Sequence, residues 1–196
     1  GFTSQAASER PEVTTITETK GENTNTHTAV QAISQNIVAS AQEMTDASQQ
    51  VIADNIAKKE EEERLAREKA EQEAKEKAER EAREAYVRAN QELLASIIYC
   101  EAGNQPYEGQ VAVGAVIMNR VKSGSYPNSI EEVIYQSGQF GPAATGWLNR
   151  VRSSKGYSQT ALQAAGDALN GSNPIGNCLY FDQGGAGMKI GAHYFH

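Results

Sequence analysis

In the run "QELLASIIYCEAGNQP", residues 91–106, a glutamate follows an apolar helical stretch and adjoins one of the chain's two cysteines. On a helix, Glu101 lies at i+7 from Leu94, i+4 from Ile97 and i+3 from Ile98, so the four share one face. A carboxyl held against Leu and Ile loses hydration in its charged form. Desolvation raises its pKa toward the range in which it donates a proton near neutrality. Glu101 is therefore a candidate general acid, and the Gly103-Asn104 break behind it leaves the helix end open to a cleft. The alternative is a helix-terminal glutamate turned back to solvent.

Other constellations are weaker. Cys100 with His193 has the residue types of a thiolate–imidazole nucleophile. Cys100, however, follows a buried helical run and lacks the helix N-terminus that would lower its pKa. Glu108, Glu131 and Glu132 read as solvated helix positions and Asp167 as part of a polar face. Asp182, in "YFDQ", is the tempting second carboxylate, but it also has the chemistry of a turn-starting aspartate. Cys100 and Cys178 are too few for a zinc site without histidine, and His27, His193 and His196 are not at ligand spacing to them, so no metal is expected. "GGAG" at 184–187 reads as a turn, and no cofactor-binding motif is present. Were the protein exported, a Cys100–Cys178 disulfide would close a long loop and add about 4 kcal/mol on the chain-entropy argument. The alternative is two buried free thiols.

The elements that position these residues divide the chain of 196 residues in two. Residues 1–90 carry 18 acidic and 12 basic side chains, whereas residues 91–196 carry 7 and 6, so most of the formal charge of −7 belongs to the first part. Trp147, seven of the eight Tyr and three of the four Phe lie after residue 90, which makes that part the globular one. Its near-neutral charge gives no footprint for nucleic acid, and no run approaches the roughly 20 apolar residues of a membrane span.

Residues 1–28 are rich in Thr, Ser, Glu and Asn, and this composition predicts disorder. No signal peptide is visible at Gly1, and the opening "GFTSQAASERPE" has the look of a fragment whose true start was removed. Residues 29–57 read as a weakly helical or disordered linker with a thin apolar stripe from Ile33 to Ile56. Residues 58–90 are dominated by strong helix formers, with Glu four residues before a basic partner at Glu60/Arg64, Glu63/Arg67, Glu73/Lys77, Glu76/Arg80, Glu79/Arg83 and Glu84/Arg88. Ala66, Ala70, Ala74, Ala78 and Ala82 drift around this helix without forming a seam. The pattern predicts a solitary charged spacer reaching about 50 Å in a monomeric protein.

After that, Asn90 is a candidate N-cap for a helix that ends at Gly103 and Pro106. The series Val113, Ile117, Val121 predicts a helix over 108–122, and Gly114 within it suggests close packing. Short helices are expected at "PNSIEEVIYQ", entered at Asn128 or Ser129, and at Ser158 to Asn170, with Gly171 as its stop. The aromatic and β-branched runs "CLYFD" and "KIGAHYF", parted by glycines, predict a small C-terminal β-hairpin. The expected class is α+β and mainly helical.

The blocks "IIYCEAGNQPYEGQVAVGAVIMNRV", "YPNSIEEVIYQSGQF", "ALNGSNP", "LYF" and "IGAHYF" resemble, in order and spacing, the catalytic domain of the SleB/CwlJ cell wall hydrolases. This resemblance covers residues 91–196. It implies a lysozyme-like helical fold, extracytoplasmic action on the glycan strands of peptidoglycan between N-acetylmuramic acid and N-acetylglucosamine, and in many members a lytic transglycosylase reaction. The family's catalytic glutamate falls on Glu101. Gly141 stands where many relatives have Thr or Ser after the "QF" pair, and no peptidoglycan-binding repeat is visible. Sugar binding needs hydrogen-bonding side chains beside flat apolar surfaces. Gln136, Ser137, Gln139 and Phe140 offer both in one loop, with Tyr180 and His193 expected to face it from the hairpin. Tyr180 and Phe181 point to opposite faces of a strand, so at least one belongs to the core. Asn119 and Arg120 suit a buried structural role as well as a substrate contact. The alternative to an enzyme is a non-catalytic wall-binding or scaffold protein.

Overall fold

The computed structural model describes residues 20–196. Its first element, α1 (Lys20–Ala102), is 83 residues long. The chain divides into two compact units between Lys69 and Ala70.

In the first unit the helix includes residues 20–28, for which the sequence predicts disorder, and runs unbroken through 29–57. The remainder of the segment expected to be disordered lies outside the described residues. Propagation explains the difference: once a helix is nucleated, each further residue adds a hydrogen bond at little cost, and residues 20–57 contain no proline. Polar pairs four apart support it, Gln42 Nε2 donating to Asp46 Oδ1 and Gln50 Nε2 to Asp54 Oδ1, both at 2.9 Å. In the charged stretch Arg64 pairs with Glu61 and Glu68 rather than with Glu60, and Lys58–Glu62 and Lys77–Glu81 also run basic-before-acidic.

In the second unit the last turns of α1 enter a core. Asn90 does not cap a new helix: its Nδ2 donates to the Tyr86 carbonyl at 2.9 Å from within α1. Strong helix formers precede it, so the helix has no reason to restart there. Every residue from Leu93 to Ile98 is buried. The helix ends at Ala102 as the glycine and proline predict, and the Gly103 amide donates to the Tyr99 carbonyl at 3.0 Å. A Cβ at Gly103 would stand 2.5 Å from that carbonyl oxygen, so only glycine allows this turn.

Helix α2 (Tyr107–Lys122) follows and packs on α6 (Gln159–Leu169). Gly114 makes this approach possible, because a Cβ there would lie 2.8 Å from that of Ala168. Ser129 caps α3 (Ile130–Ile134), accepting from the Glu132 amide at 3.2 Å. Ser158 caps α6 by accepting from the Ala161 amide at 3.0 Å. Two short helices that the sequence does not announce, α4 (Gly141–Thr145) and α5 (Trp147–Ser154), meet at Gly146 with φ 81°. At five and eight residues they are too short to show a period.

The chain closes with three strands, β1 (Phe181–Asp182), β2 (Met188–Ile190) and β3 (His193–Phe195). They form an antiparallel sheet in the order β1-β3-β2. The predicted hairpin is thus a three-stranded sheet, because "KIGAHYF" folds back on itself at Gly191-Ala192. Gly191 takes φ 60°, as a glycine-first two-residue hairpin turn requires. Gln105, just past α1, accepts from the Ala192 amide at 2.8 Å and fastens this turn beside the start of α2. The domain has the mainly helical α+β class that the sequence predicts.

Candidate active site

Glu101 sits in the last turn of α1, immediately after the buried stretch that ends at Ile98. It is half-buried, and burial holds its carboxyl above the usual carboxylate range. No hydrogen bond or ion pair reaches this carboxylate among the described residues, so no donor or cation offsets the desolvation. A cavity of about 380 Å³ opens at this end of α1, lined by its neighbours Tyr99, Cys100, Gly103 and Asn104 and by Trp147, with Glu101 itself outside the lining. Gly103 and Asn104 are the helix-ending pair expected to border a cleft. Trp147 arrives on α5, and its type alone singles it out in the sequence. Its ring is more than a third exposed, a flat apolar surface of the kind that binds sugar rings.

Cys100 lines the same cavity. Burial, with Glu101's charge adding to it, pushes its thiol up to about 11. The thiol is therefore protonated at neutral pH, the opposite of what a cysteine nucleophile needs. Cys100 and Cys178 are both free, so the disulfide admitted by the sequence is not formed. The two residues serve different places: Cys178 packs against the core, and its carbonyl accepts from Asn119 Nδ2 at 2.9 Å.

The predicted sugar-binding residues gather around a different centre, Arg120. This arginine is 5% exposed. Its Nε donates to the Leu179 carbonyl at 2.8 Å and its Nη1 to Gln139 Oε1 at 3.2 Å. Its guanidinium faces the rings of Tyr126, Phe140 and Tyr180 at 4.8, 5.4 and 5.6 Å. No carboxylate pairs with it among the described residues, so the aromatic faces and two oxygen acceptors hold the charge. Burial lowers its pKa, yet a guanidinium stays protonated. Arg120 thereby ties the end of α2 to the loop before α4 and to the strand region. Asn119 ties the same end of α2 to the segment before β1, donating to the carbonyls of Gly176 and Cys178 at 2.8 and 2.9 Å. Both of these side chains act within the fold.

Gln139, Phe140 and Tyr180 are thus brought together, but Phe140 is buried in the core and supports the loop from beneath, so only Gln139 and Tyr180 of the three are open to a ligand. Gln136 adjoins them through the Gln139 amide, which donates to its carbonyl at 3.2 Å, and its own Oε1 is buried without a partner. Ser137 is exposed. His193 is not a surface group: it is buried, lies edge-on to Phe181 at 5.2 Å and leaves Nδ1 unpartnered. Burial lowers its pKa, which favours a neutral ring. Phe181 stacks on Phe195 at 6.0 Å while Tyr180 is exposed and stacks on His196 at 5.5 Å, the division between core and surface that strand alternation predicts. Asp182 accepts from the Gly184 amide at 2.9 Å and meets His196 Nε2 at 2.9 Å. Its oxygens are engaged in the turn-starting role expected for it. Arg120 takes the buried structural role that its place at the end of α2 suggested; what spacing could not reveal is its partners, Tyr126, Gln139 and the Leu179 carbonyl.

Residues 104–195 match the family model described as Cell Wall Hydrolase. The C-terminal domain belongs to the cell wall hydrolase family. Glu101 lies three residues before the matched span. The spore cortex-lytic enzyme of Bacillus cereus is 41% identical to this chain over 96 residues, which are 49% of this chain and 35% of that protein. The spore cortex-lytic enzyme of Bacillus subtilis is 42% identical over 89 residues, 45% of this chain and 28% of that protein. The chain spans about a third of the length of these curated relatives. The solved catalytic domain of the germination-specific lytic transglycosylase SleB from Bacillus anthracis shares 36% identity, covering 54% of this chain and 92% of that one, with a TM-score of 0.48.

Proposed function

We propose that this cell wall hydrolase domain cleaves the glycan strand of peptidoglycan, outside the cytoplasm, between N-acetylmuramic acid and N-acetylglucosamine, and that it does so as a lytic transglycosylase. Glu101 is the general acid and base. The observation that carries the reading is its half-buried, unpaired carboxyl in the turn of α1 whose neighbouring residues, with Trp147, line a cavity. Burial shifts such a group toward its protonated form, as an acid for a glycosidic oxygen needs. The relatives' description as cortex-lytic enzymes supports the substrate class.

Protonation by Glu101 breaks the bond between muramic C1 and the glycosidic oxygen, which leaves as a hydroxyl. The 6-hydroxyl of the same muramic acid then bonds to C1, and its proton passes to the Glu101 carboxylate, restoring the acid. An intramolecular hydroxyl has a high effective molarity, so no second carboxylate is needed to activate water. A two-carboxylate glycosidase requires a partner across the bond, and Asp182 is held by the Gly184 amide and His196. Gln139 and Tyr180, held in place by Arg120, are the surface for further sugar units.

Digestion of purified peptidoglycan followed by mass spectrometry of the released muropeptides tests this. Fragments ending in 1,6-anhydromuramic acid are expected. Reducing-end muramic acid alone would mean that water is the nucleophile. Protein bound to walls without any fragment would favour the wall-binding reading instead.

A further inference from the structure

Within the first unit, α1 has an apolar face that none of the described residues covers. Val30, Ile37, Met44 and Val51 recur at intervals of seven residues and are 55, 64, 71 and 57% exposed. With these as a positions, the d positions are Ile33, Ser40 and Ala47, so an apolar or small side chain faces the seam at every turn from 30 to 51. Neighbouring e positions, Ser34, Ala41 and Ser48, are small as well and let another helix come close. At the next d position Asp54 ends the seam, and the heptads beyond it put Lys58 and Glu61 in the core. The charged stretch therefore does not continue the pattern.

We propose that residues 30–51 of α1 pair with the same segment of a second copy of this chain, in a parallel, in-register two-stranded coiled coil. A strict seven-residue repeat is the geometry by which a helix keeps one seam toward an identical partner. β-branched Val30, Ile37 and Val51 at a favour two strands. The charge pattern selects this occupant over a lipid surface. No Lys or Arg lies between Gly21 and Ala57, and the charges on this stretch are Glu22, Glu43, Asp46 and Asp54. Membrane-surface helices instead carry cations on the polar face. Within the paired residues 30–51 only Glu43 occupies a g position and Asp46 points outward, so no acid of the segment faces another across the seam, which ends before Asp54. Pairing also explains why a helix without a charged network persists here, since an isolated helix draws little stability from propensity alone.

Sedimentation velocity of the full chain over a concentration series tests the proposal. A species of twice the chain mass is expected. The double variant Ile37→Asp/Met44→Asp should run at the chain mass, while Gln35→Glu/Gln42→Glu, on the outer f positions, should remain dimeric. Under oxidation Met44→Cys should form a covalent dimer and Gln42→Cys should not, which separates a parallel in-register pair from an antiparallel one. A monomer at all concentrations, or a dimer that survives Ile37→Asp/Met44→Asp, would overturn it. Co-sedimentation of a monomeric chain with phosphatidylglycerol vesicles would overturn it in favour of lipid.

Discussion

From Thr24 to Tyr86 every side chain of α1 is exposed, whereas from Leu93 to Ile98 every one is buried. The first stretch holds its helical form by propensity and by pairs such as Arg64–Glu68. The second holds it because Leu94, Ile97 and Ile98 lie against α2 and the rest of the core. The same backbone therefore gives glutamates different chemistry. Glu61 and Glu68 sit in water around Arg64, while Glu101, one turn past the buried stretch, has lost part of its hydration without gaining a cation. A carboxylate's role on a helix is set by what covers it.

The largest break in this contrast should come from Glu101→Gln. The amide keeps the shape but cannot give or take the proton, and peptidoglycan cleavage should fall by about 10² to 10⁴-fold, measured as anhydromuropeptide release. Activity near that of the parent would remove Glu101 from the chemistry. On the folding side, Leu94→Ala opens a cavity among residues with no exposure and should cost about 2–5 kcal/mol, read by denaturant unfolding of the C-terminal unit. A loss below 1 kcal/mol would mean that burial is not what holds this part of α1.

Next in size is Arg120→Met. It keeps the contact with Tyr126, Phe140 and Tyr180 but leaves the Leu179 carbonyl and Gln139 without their donor. A stability loss of about 1–3 kcal/mol is expected for the unsatisfied acceptors. KM for glycan strands should rise more than kcat falls, because the residue positions binding groups and takes no part in the proton transfer.

The effect of pH on Glu101 should be smaller and has a fixed sign. Its folded pKa lies above its unfolded value, so the folded state binds the proton more tightly. Ionisation in the folded protein is thus penalised: the cost is absent below the unfolded pKa and complete above the folded one. Glu101→Gln should therefore melt higher than the parent at pH 7, and the gap should close as the pH falls toward 4. Cleavage by the parent should decline as the pH rises through the raised pKa, since the acid form does the work. A constant gap across that window would show that the carboxyl is not destabilised by burial.

How much of this could be read along the chain follows the same division. The spacing of Leu94, Ile97, Ile98 and Glu101 is local, and it foretold the buried face and the displaced pKa. Gly114 foretold the tight contact of α2 with α6, because a missing side chain in a helix is itself a packing signal. Asn90 misled, since a capping residue starts a helix only when its predecessors are not already helical. Arg120 joins the Leu179 carbonyl and Gln139, dozens of residues apart at one end, and Trp147 reaches the end of α1 from α5. Neither relation leaves a period or a motif. The thiols illustrate the limit: a loop length admits a disulfide, but only the fold places Cys100 at a cavity and Cys178 beside Asn119.

The smallest effect should come from the exposed stretch. Arg64→Ala removes an arginine bonded to two glutamates, Glu61 and Glu68. All three groups are about half exposed and water screens them. Alanine, moreover, is the strongest helix former, so the substitution returns in propensity part of what it removes in pairing. The melting temperature of the C-terminal unit should not move, and the helical signal of the whole chain should change by no more than its experimental scatter. Loss of helical signal at moderate salt would show that ion pairs, rather than propensity, hold the exposed part of α1. The contrast between its two stretches would then be one of charge against burial.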